Sequence, residues 1–179
     1  EELGRGWQSL AQAYVANCLF GGYTIYMNGT EEQKREYLPR LIRGEIKFSL
    51  GLTEPNAGSD AINQQTTAVE EGDYFIINGS KIFTSDAHVA DYIILVARTD
   101  KNPPKKYQCL SEILVNVKTP GITINRLSHL ATMAAGTDES FYDNVRVPKS
   151  NLIGTLNRGW YQIMSLLEAE RVVSSAMAV

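Results

Sequence analysis

Glu45-Ile46-Lys47-Phe48-Ser49-Leu50-Gly51-Leu52-Thr53-Glu54-Pro55-Asn56-Ala57-Gly58-Ser59-Asp60 decides how this chain is read. Up to Leu52 the residues suit a strand. Phe48, Leu50 and Leu52 alternate with smaller or polar neighbours, the period of two that turns one side of a strand inward. From Thr53 the composition changes abruptly to small, polar, turn-forming residues. Pro55 fixes its own φ, and Gly58 reaches φ angles closed to other residues. The lack of bulk opens the backbone to close approach by a ligand. Thr53 and Ser59 add hydroxyls that both donate and accept. An ordinary strand-to-loop exit has the same composition, so this stretch alone names no ligand.

Strands continue on its C-terminal side. Thr66–Val69 reads as one, and Glu71-Gly72 as a turn. Asp73–Ile77 and Ser80–Phe83 flank Asn78-Gly79, which predicts a tight hairpin turn there. Asp91–Arg98 is apolar enough to be buried on both faces or nearly so. Lys101–Lys106, with Pro103-Pro104, reads as an exposed loop. Glu112–Val117, Ile122–Leu127 and Glu139–Val145 complete the set, with a turn at Pro120-Gly121. Short strands at this spacing predict a barrel or sandwich.

Helices flank this region. Residues 3–27 place Trp7, Leu10, Tyr14 and Cys18 near helical spacing, and Gly21-Gly22 marks a close helix contact or a weak end. Thr30-Glu31-Glu32-Gln33 has the form of a capping box, opening a helix that Pro39 breaks near Leu38 and Gly44 closes. A last helix begins near Asn157. The expected fold class is therefore α+β, a central antiparallel β-barrel or sandwich over residues 45–150, with helical parts at 1–44 and 151–179. Both ends fall inside helical pattern without a cap, so a longer protein is expected.

Composition narrows the function classes. The chain has 179 residues, 44% hydrophobic and 21% charged, with net charge −3. No basic block points to nucleic acid. No apolar run approaches the roughly 20 residues of a spanning helix, and no signal-peptide pattern opens the chain. Cys18 and Cys109 lack metal-ligand spacing and read as free thiols, and His88 and His129 stand alone, so no metal site is expected. Neither G-x-G-x-x-G nor a Walker A sequence occurs, so a nucleotide cofactor is not held in Rossmann or P-loop fashion.

The last helix carries an anomaly. Trp160, Ile163, Met164 and Leu167 mark one face by their spacing. Continuing that stripe brings Glu170, Arg171 and Ser174 onto a side that was apolar a turn earlier. Buried charge is costly unless paired or functional. Glu170 and Arg171 therefore either pair with groups of another domain or serve a site.

Thr53-Glu54-Pro55 with Gly58-Ser59-Asp60, and Asn78-Gly79-Ser80-Lys81-Ile82-Phe83-Thr84-Ser85 after Tyr74–Ile77, resemble the acyl-CoA dehydrogenase family. Gly29–Lys34 with Tyr37-Leu38-Pro39 is similar to that family's N-terminal helical domain. Asn144–Pro148 with Asn151–Gly154 is similar to its exit from the β domain. The resemblance implies FAD as cofactor, held between the β domain and helical domains and partly across a subunit interface, so the chain alone is expected to bind it poorly. It implies α,β-dehydrogenation of an acyl-CoA, electron transfer to an electron-transferring flavoprotein, a homotetramer or homodimer, and a bacterial cytoplasm or mitochondrial matrix as location.

Carried over position by position, Leu50, Gly51, Leu52 and Thr53 lie where backbone and hydroxyl meet the isoalloxazine ring. Ser59 lies near the flavin phosphate and the CoA part of the substrate. Phe83-Thr84-Ser85 stands where the family usually has Trp-Ile-Thr, which makes Phe83 a candidate to pack on the flavin. Its local pattern favours core packing instead. Glu170 matches the catalytic base of members resembling the isovaleryl and long-chain types. Most other members use a glutamate further along. Glu168 matches an acid near the pantetheine arm and Arg171 an arginine of the pocket wall. A flavin monooxygenase or oxidase, or a non-catalytic acyl-CoA-binding module, are the alternatives on the same scaffold.

Overall fold

The computed structural model describes residues 2–130 and 134–177. The N-terminal helical stretch is divided. α1 (Glu2–Gly6) ends at Trp7, whose φ of −164° is extended. From there α2 (Gln8–Tyr14), a π-helical segment (Val15–Tyr23) and α3 (Thr24–Asn28) run on with helical backbone at every junction. The Gly pair is a contact, not an end. A side chain at Gly21 would overlap the Phe48 ring, so the missing Cβ is what lets the helix lie against the first strand.

α4 (Glu31–Ile42) opens with both halves of the predicted capping box. Thr30 Oγ1 accepts from the Gln33 backbone at 3.2 Å, and the Thr30 N–H donates to Gln33 Oε1 at 3.0 Å. Gln33 Nε2 also donates to the Ser150 and Leu152 carbonyls, tying this helix to the far end of the β region. Pro39 does not break the helix, which continues to Ile42. Pro39 and Arg35 are both exposed, so the carbonyl that loses its i→i−4 partner lies on the solvent side. Gly44, at φ 70°, makes the stop.

Eight strands form one sheet in the order β6-β7-β3-β2-β4-β5-β8, with β1 paired to β4. They are β1 (Phe48–Gly51), β2 (Thr67–Glu71), β3 (Tyr74–Ser85), β4 (Tyr92–Arg98), β5 (Leu110–Asn116), β6 (Ile122–Arg126), β7 (Thr137–Pro148) and β8 (Leu152–Ile153). Pairing is antiparallel except that β1 runs parallel to β4, with Phe48 opposite Tyr92 and Gly51 opposite Leu95, and β2 touches β4 in parallel at Thr67 and Arg98. The hairpin turn between β2 and β3 is at Gly72, φ 56°, not at Asn78-Gly79. Asn78-Gly79 lies inside β3, where the register against β7 shifts. Gly79 has φ 144°, and a Cβ there would come within 2.6 Å of Thr66 Cα. The Asn-Gly pair thus serves a bulge, and β7 supplies the partner that keeps the strand going.

β4 is buried on both sides, as its sequence predicts. Ile94 and Val96 join the core beneath the helices, with Phe48, Leu50, Leu114, Val15, Leu19 and Ile163. Ile93, Leu95 and Ala97 join a second core with Phe75, Ile77, Val115, Tyr142 and Val145. α5 (Gly159–Met177) closes the helical side, packing on α1, the π-helical segment and α3. Among the described residues no helix is long and apolar enough to cross a membrane.

Candidate functional site

The exit from β1 and the end of β3 lie side by side. The Ile82 N–H donates to the Thr53 carbonyl at 2.9 Å. Ser49 Oγ donates to the Ser85 carbonyl at 2.5 Å. Residues 49–53 therefore run antiparallel to 82–85, and the two quoted motifs share one edge. Thr53, opposite Ile82, and Ser85, opposite Ser49, stand at the two ends of this paired stretch. Leu52, Thr53, Ile82 and Ser85 are half-buried. Leu50, Gly51 and Thr84 are buried and back this edge from inside.

Phe83 departs from the core-packing expectation: it is 64% exposed, at φ 58°. The register of β3 against β7 shifts between Lys81 and Thr84. That bulge turns Lys81 and Thr84 both inward and leaves the Phe83 ring outside. A left-handed backbone at a non-glycine residue costs about 1–3 kcal/mol and tends to sit at functional sites.

Behind this edge is a buried charge cluster that motif reading missed. Lys81 is fully buried, and its Nζ donates to the Leu52 carbonyl (3.1 Å), Glu54 Oε1 (2.8 Å) and Gln64 Oε1 (2.7 Å). All three ammonium protons have acceptors. Glu54 also accepts from the Gln65 N–H at 2.6 Å and the Thr66 N–H at 3.0 Å. Burial pushes the Glu54 carboxyl up, but Lys81 and the Gln65 N–H outweigh it and hold the pKa below the usual range. Burial depresses Lys81, opposed by Glu54. Reciprocal backbone bonds between Glu54 and Ala57 close the Pro55-Asn56 turn. Counting by two from inward Phe75 and Ile77 places Lys81 on the inward face, so a cation within a strand pattern was the available signal.

α5 brings Glu170 to the same edge. Gln12, Val15, Phe20, Ser85, Glu170 and Ser174 line one cavity of about 240 Å³. Burial raises the half-buried Glu170 carboxyl above the usual carboxylate range, and the Arg171 guanidinium pulls it partly back. Glu168 and Arg171 are exposed and do not line this cavity, nor does Ser59, exposed on the loop beyond the Pro55 turn. Gly58 beside it has open space where a Cβ would stand. A separate, mainly apolar cavity of about 410 Å³, lined by Trp7, Cys18, Phe48 and Val89 among others, holds none of the predicted site residues. Among the described residues no group of three or more His, Cys, Asp and Glu is placed to hold a metal ion.

Comparison with known proteins identifies the family. Residues 49–145 match the acyl-CoA dehydrogenase middle domain, and residues 1–45 the N-terminal domain of the same family. An acyl-CoA dehydrogenase of Mycobacterium tuberculosis is 43% identical over 152 residues, 85% of this chain and 39% of that protein. The CarC subunit of the caffeyl-CoA reductase–Etf complex of Acetobacterium woodii is 34% identical over 173 residues, 95% of this chain and 45% of that protein. The structure of butyryl-CoA dehydrogenase from Megasphaera elsdenii superposes with a TM-score of 0.94 at 33% identity, covering 99% of this chain and 46% of that one. The chain thus spans less than half the length of these relatives. With one family domain matched over more than half its length and the same fold in a solved member, the chain belongs to the acyl-CoA dehydrogenase family.

Proposed function

We propose that this chain carries the flavin-facing edge and the substrate base of an enzyme that dehydrogenates acyl-CoA thioesters between the α and β carbons. In this reading residues 1–44 close a helical domain, 45–150 form the middle β domain and 151–179 open a second helical domain. The observation that carries the reading is the cavity shared by Ser85 and Glu170, which sets a carboxylate of raised pKa against the strand edge.

The family generally binds FAD, and this edge suits its ring. A flat apolar surface is supplied by the outward Phe83, and directed hydrogen bonds by the Thr53 and Ser85 hydroxyls and the backbone at Leu52, with the buried Leu50, Gly51 and Thr84 shaping the edge from behind. Ser59 would meet the phosphates and the CoA part of the substrate on the open loop. When bound, FAD supplies the acceptor for the hydride that leaves the substrate β-carbon. The chain's own residues do the rest. Glu170 takes the α-proton, and burial makes its carboxylate a stronger base than one in water. Val15, Ala16 and Phe20 give it an apolar wall. Arg171 moderates its charge, and Glu168 and Arg171 flank the path to the pantetheine arm. Electrons then pass to an electron-transferring flavoprotein, supported by the name of the A. woodii relative's complex. The functional form is a homotetramer or homodimer in a bacterial cytoplasm or mitochondrial matrix.

The test is dehydrogenation of an acyl-CoA panel by the FAD-loaded protein as encoded, with an artificial electron acceptor. Glu170→Gln is expected to cost about 10²–10⁴-fold in kcat. A loss below about tenfold removes Glu170 as the base. Oxygen consumption without the acceptor points to an oxidase instead.

A further inference from the structure

Resting on that dehydrogenase reading, we infer that His88 and Asp138 are positioning residues for the flavin: their pairing holds the turn after Ser85, and through it the Phe83 ring and the Ser85 hydroxyl, in the arrangement that receives the cofactor. They act through the backbone of residues 83–86.

That segment needs holding. Phe83 has φ 58° and Asp86 φ 56°, two left-handed non-glycine residues within four positions. Such angles are uncommon in residues with a Cβ and persist only where the surroundings over-determine them. The first leaves the Phe83 ring outside. The second turns the chain out of β3 into a short 3₁₀ turn, Ala87–Val89. Ser85 lies between the two, so its direction is set by both.

Two brackets fasten the turn to β7 and the residue before it. In one, the Asp86 N–H donates to the Gly136 carbonyl at 3.0 Å, and the Gly136 N–H donates to Asp86 Oδ1 at 2.6 Å. In the other, the His88 N–H donates to Asp138 Oδ2 at 3.1 Å, and His88 Nδ1 stands 3.0 Å from the same oxygen. Oδ2 already accepts one N–H, so a proton on Nδ1 makes the ring its second donor. Asp138 is fully buried, and its Oδ1 has no hydrogen-bond partner among the described residues. A buried carboxyl with one oxygen unanswered depends on the donors at the other. Gly136 fixes the ring in place, since a Cβ there would come within 2.0 Å of His88 Cε1.

Strand register joins these brackets to the edge. Asp138 pairs with Thr84, and Thr137 with Ser85. The piece of β7 that lies opposite Thr84 and Ser85 is therefore the piece that grips the turn beyond them. Ser49 Oγ holds the Ser85 carbonyl from the other side. Every one of these contacts lies within residues 49–145, the stretch that matches the family's middle domain.

The FAD-loaded protein as encoded is compared with four variants by flavin dissociation constant, by the visible absorption band of the bound flavin and by melting temperature. His88→Leu removes the ring donor. Gly136→Ala keeps both partners but drives the ring off its seat. Each is expected to weaken FAD binding about tenfold or more, since small misplacements of positioned groups are costly, and to shift the flavin band. His88→Asn keeps an N–H near the Nδ1 position and is expected to bind FAD within about threefold of the unaltered protein. Ile77→Val trims the second core and is expected to lower the melting temperature without moving either flavin readout. If either His88→Leu or Gly136→Ala changes flavin binding no more than Ile77→Val does, or if His88→Asn binds as poorly as His88→Leu, the positioning role is overturned and the dehydrogenase reading stands. If the unaltered protein neither takes up FAD nor desaturates any acyl-CoA, that reading falls and the positioning role with it.

Discussion

Replacing Lys81 by Met tests whether the buried cluster holds the proposed flavin-facing edge in place. Met keeps most of the aliphatic volume and deletes the ammonium. Three acceptors lose their donor at once: Glu54 Oε1, Gln64 Oε1 and the Leu52 carbonyl. Glu54 keeps its two backbone N–H donors, so its charge is not wholly unsolvated. Breaking a buried ion pair from one side costs about 3–5 kcal/mol. An orphaned buried acceptor costs about 1–3 kcal/mol, and these terms are not additive among neighbours. The expected loss is about 4 kcal/mol in urea unfolding, a large part of the roughly 5–15 kcal/mol a domain has. Glu54→Gln in the Lys81→Met background removes the stranded charge, so the double variant should be less destabilised than the sum of the singles by about 2 kcal/mol. Because Lys81 grips the carbonyl next to Thr53, flavin affinity should fall by about tenfold or more in the single variant, read by flavin fluorescence on the folded fraction. A loss of stability below about 1 kcal/mol, or additive singles, refutes the coupling. Full destabilisation with unchanged flavin affinity refutes the link to the edge.

Burial pushes Glu112 up to about 8 from 4.5, against the lowering effect of its bond from Gln162. Gln162 Nε2 donates to Glu112 Oε2 at 2.7 Å, while Glu112 Oε1 and Gln162 Oε1 lack partners; a proton on the acid supplies the missing donor. The folded state therefore binds more protons between those two pKa values. Stability is complete below pH 4.5 and falls as pH rises toward about 8, by up to about 5 kcal/mol, and Glu112→Gln should flatten that slope in urea melts taken across the range. In the proposed role Glu170 takes a proton only when ionised, so kcat/KM should rise with pH on a limb above the usual carboxylate range. Arg171→Gln removes the group that lowers Glu170 and should move that limb to higher pH; no movement means the guanidinium does not act on the base. Phe83→Gly relieves the left-handed backbone and should stabilise the apoprotein by about 1 kcal/mol while weakening flavin binding, seen as a higher melting temperature and a higher dissociation constant.

What the residues alone disclosed followed the range of the interactions involved. The capping box at Thr30 and Gln33 is satisfied within four residues, and it formed as its spelling predicts. Asp91–Arg98 is apolar without interruption, and it is buried on both faces. Asn78-Gly79 misled because a two-residue turn and a bulge ask for the same backbone freedom. The choice between them was made by β7, whose partner residues lie some sixty positions away, with Asn144 answering Asn78. Pro39 misled for a related reason: the lost hydrogen bond is cheap on an exposed helix face and dear in a core. The parallel pairing of β1 with β4 leaves no local trace at all, because strand direction is a property of the connection and not of the strand.

The site shows the same division, and there it bears on chemistry. Thr53 is flagged by a stretch whose small, polar composition is odd where it stands, Ser85 only by the family resemblance, and the structure puts their two segments on one edge. Lys81 is not flagged, although it sits four residues before Ser85 and beneath Thr53. A lysine in a strand reads as a solvated residue until the inward phase of Phe75 and Ile77 is carried forward to it, and nothing nearby spells out that Glu54 and Gln64 are waiting. Yet it is this cluster that lets a loop rich in small and turn-forming residues keep a fixed shape. The motif supplies access, since Gly58 and Ser59 leave the backbone open. The buried charge supplies rigidity, since three acceptors from separate positions converge on one ammonium. A flat ring gripped by directed hydrogen bonds needs both properties at once, and residues that provide the second have to be out of the ligand's reach.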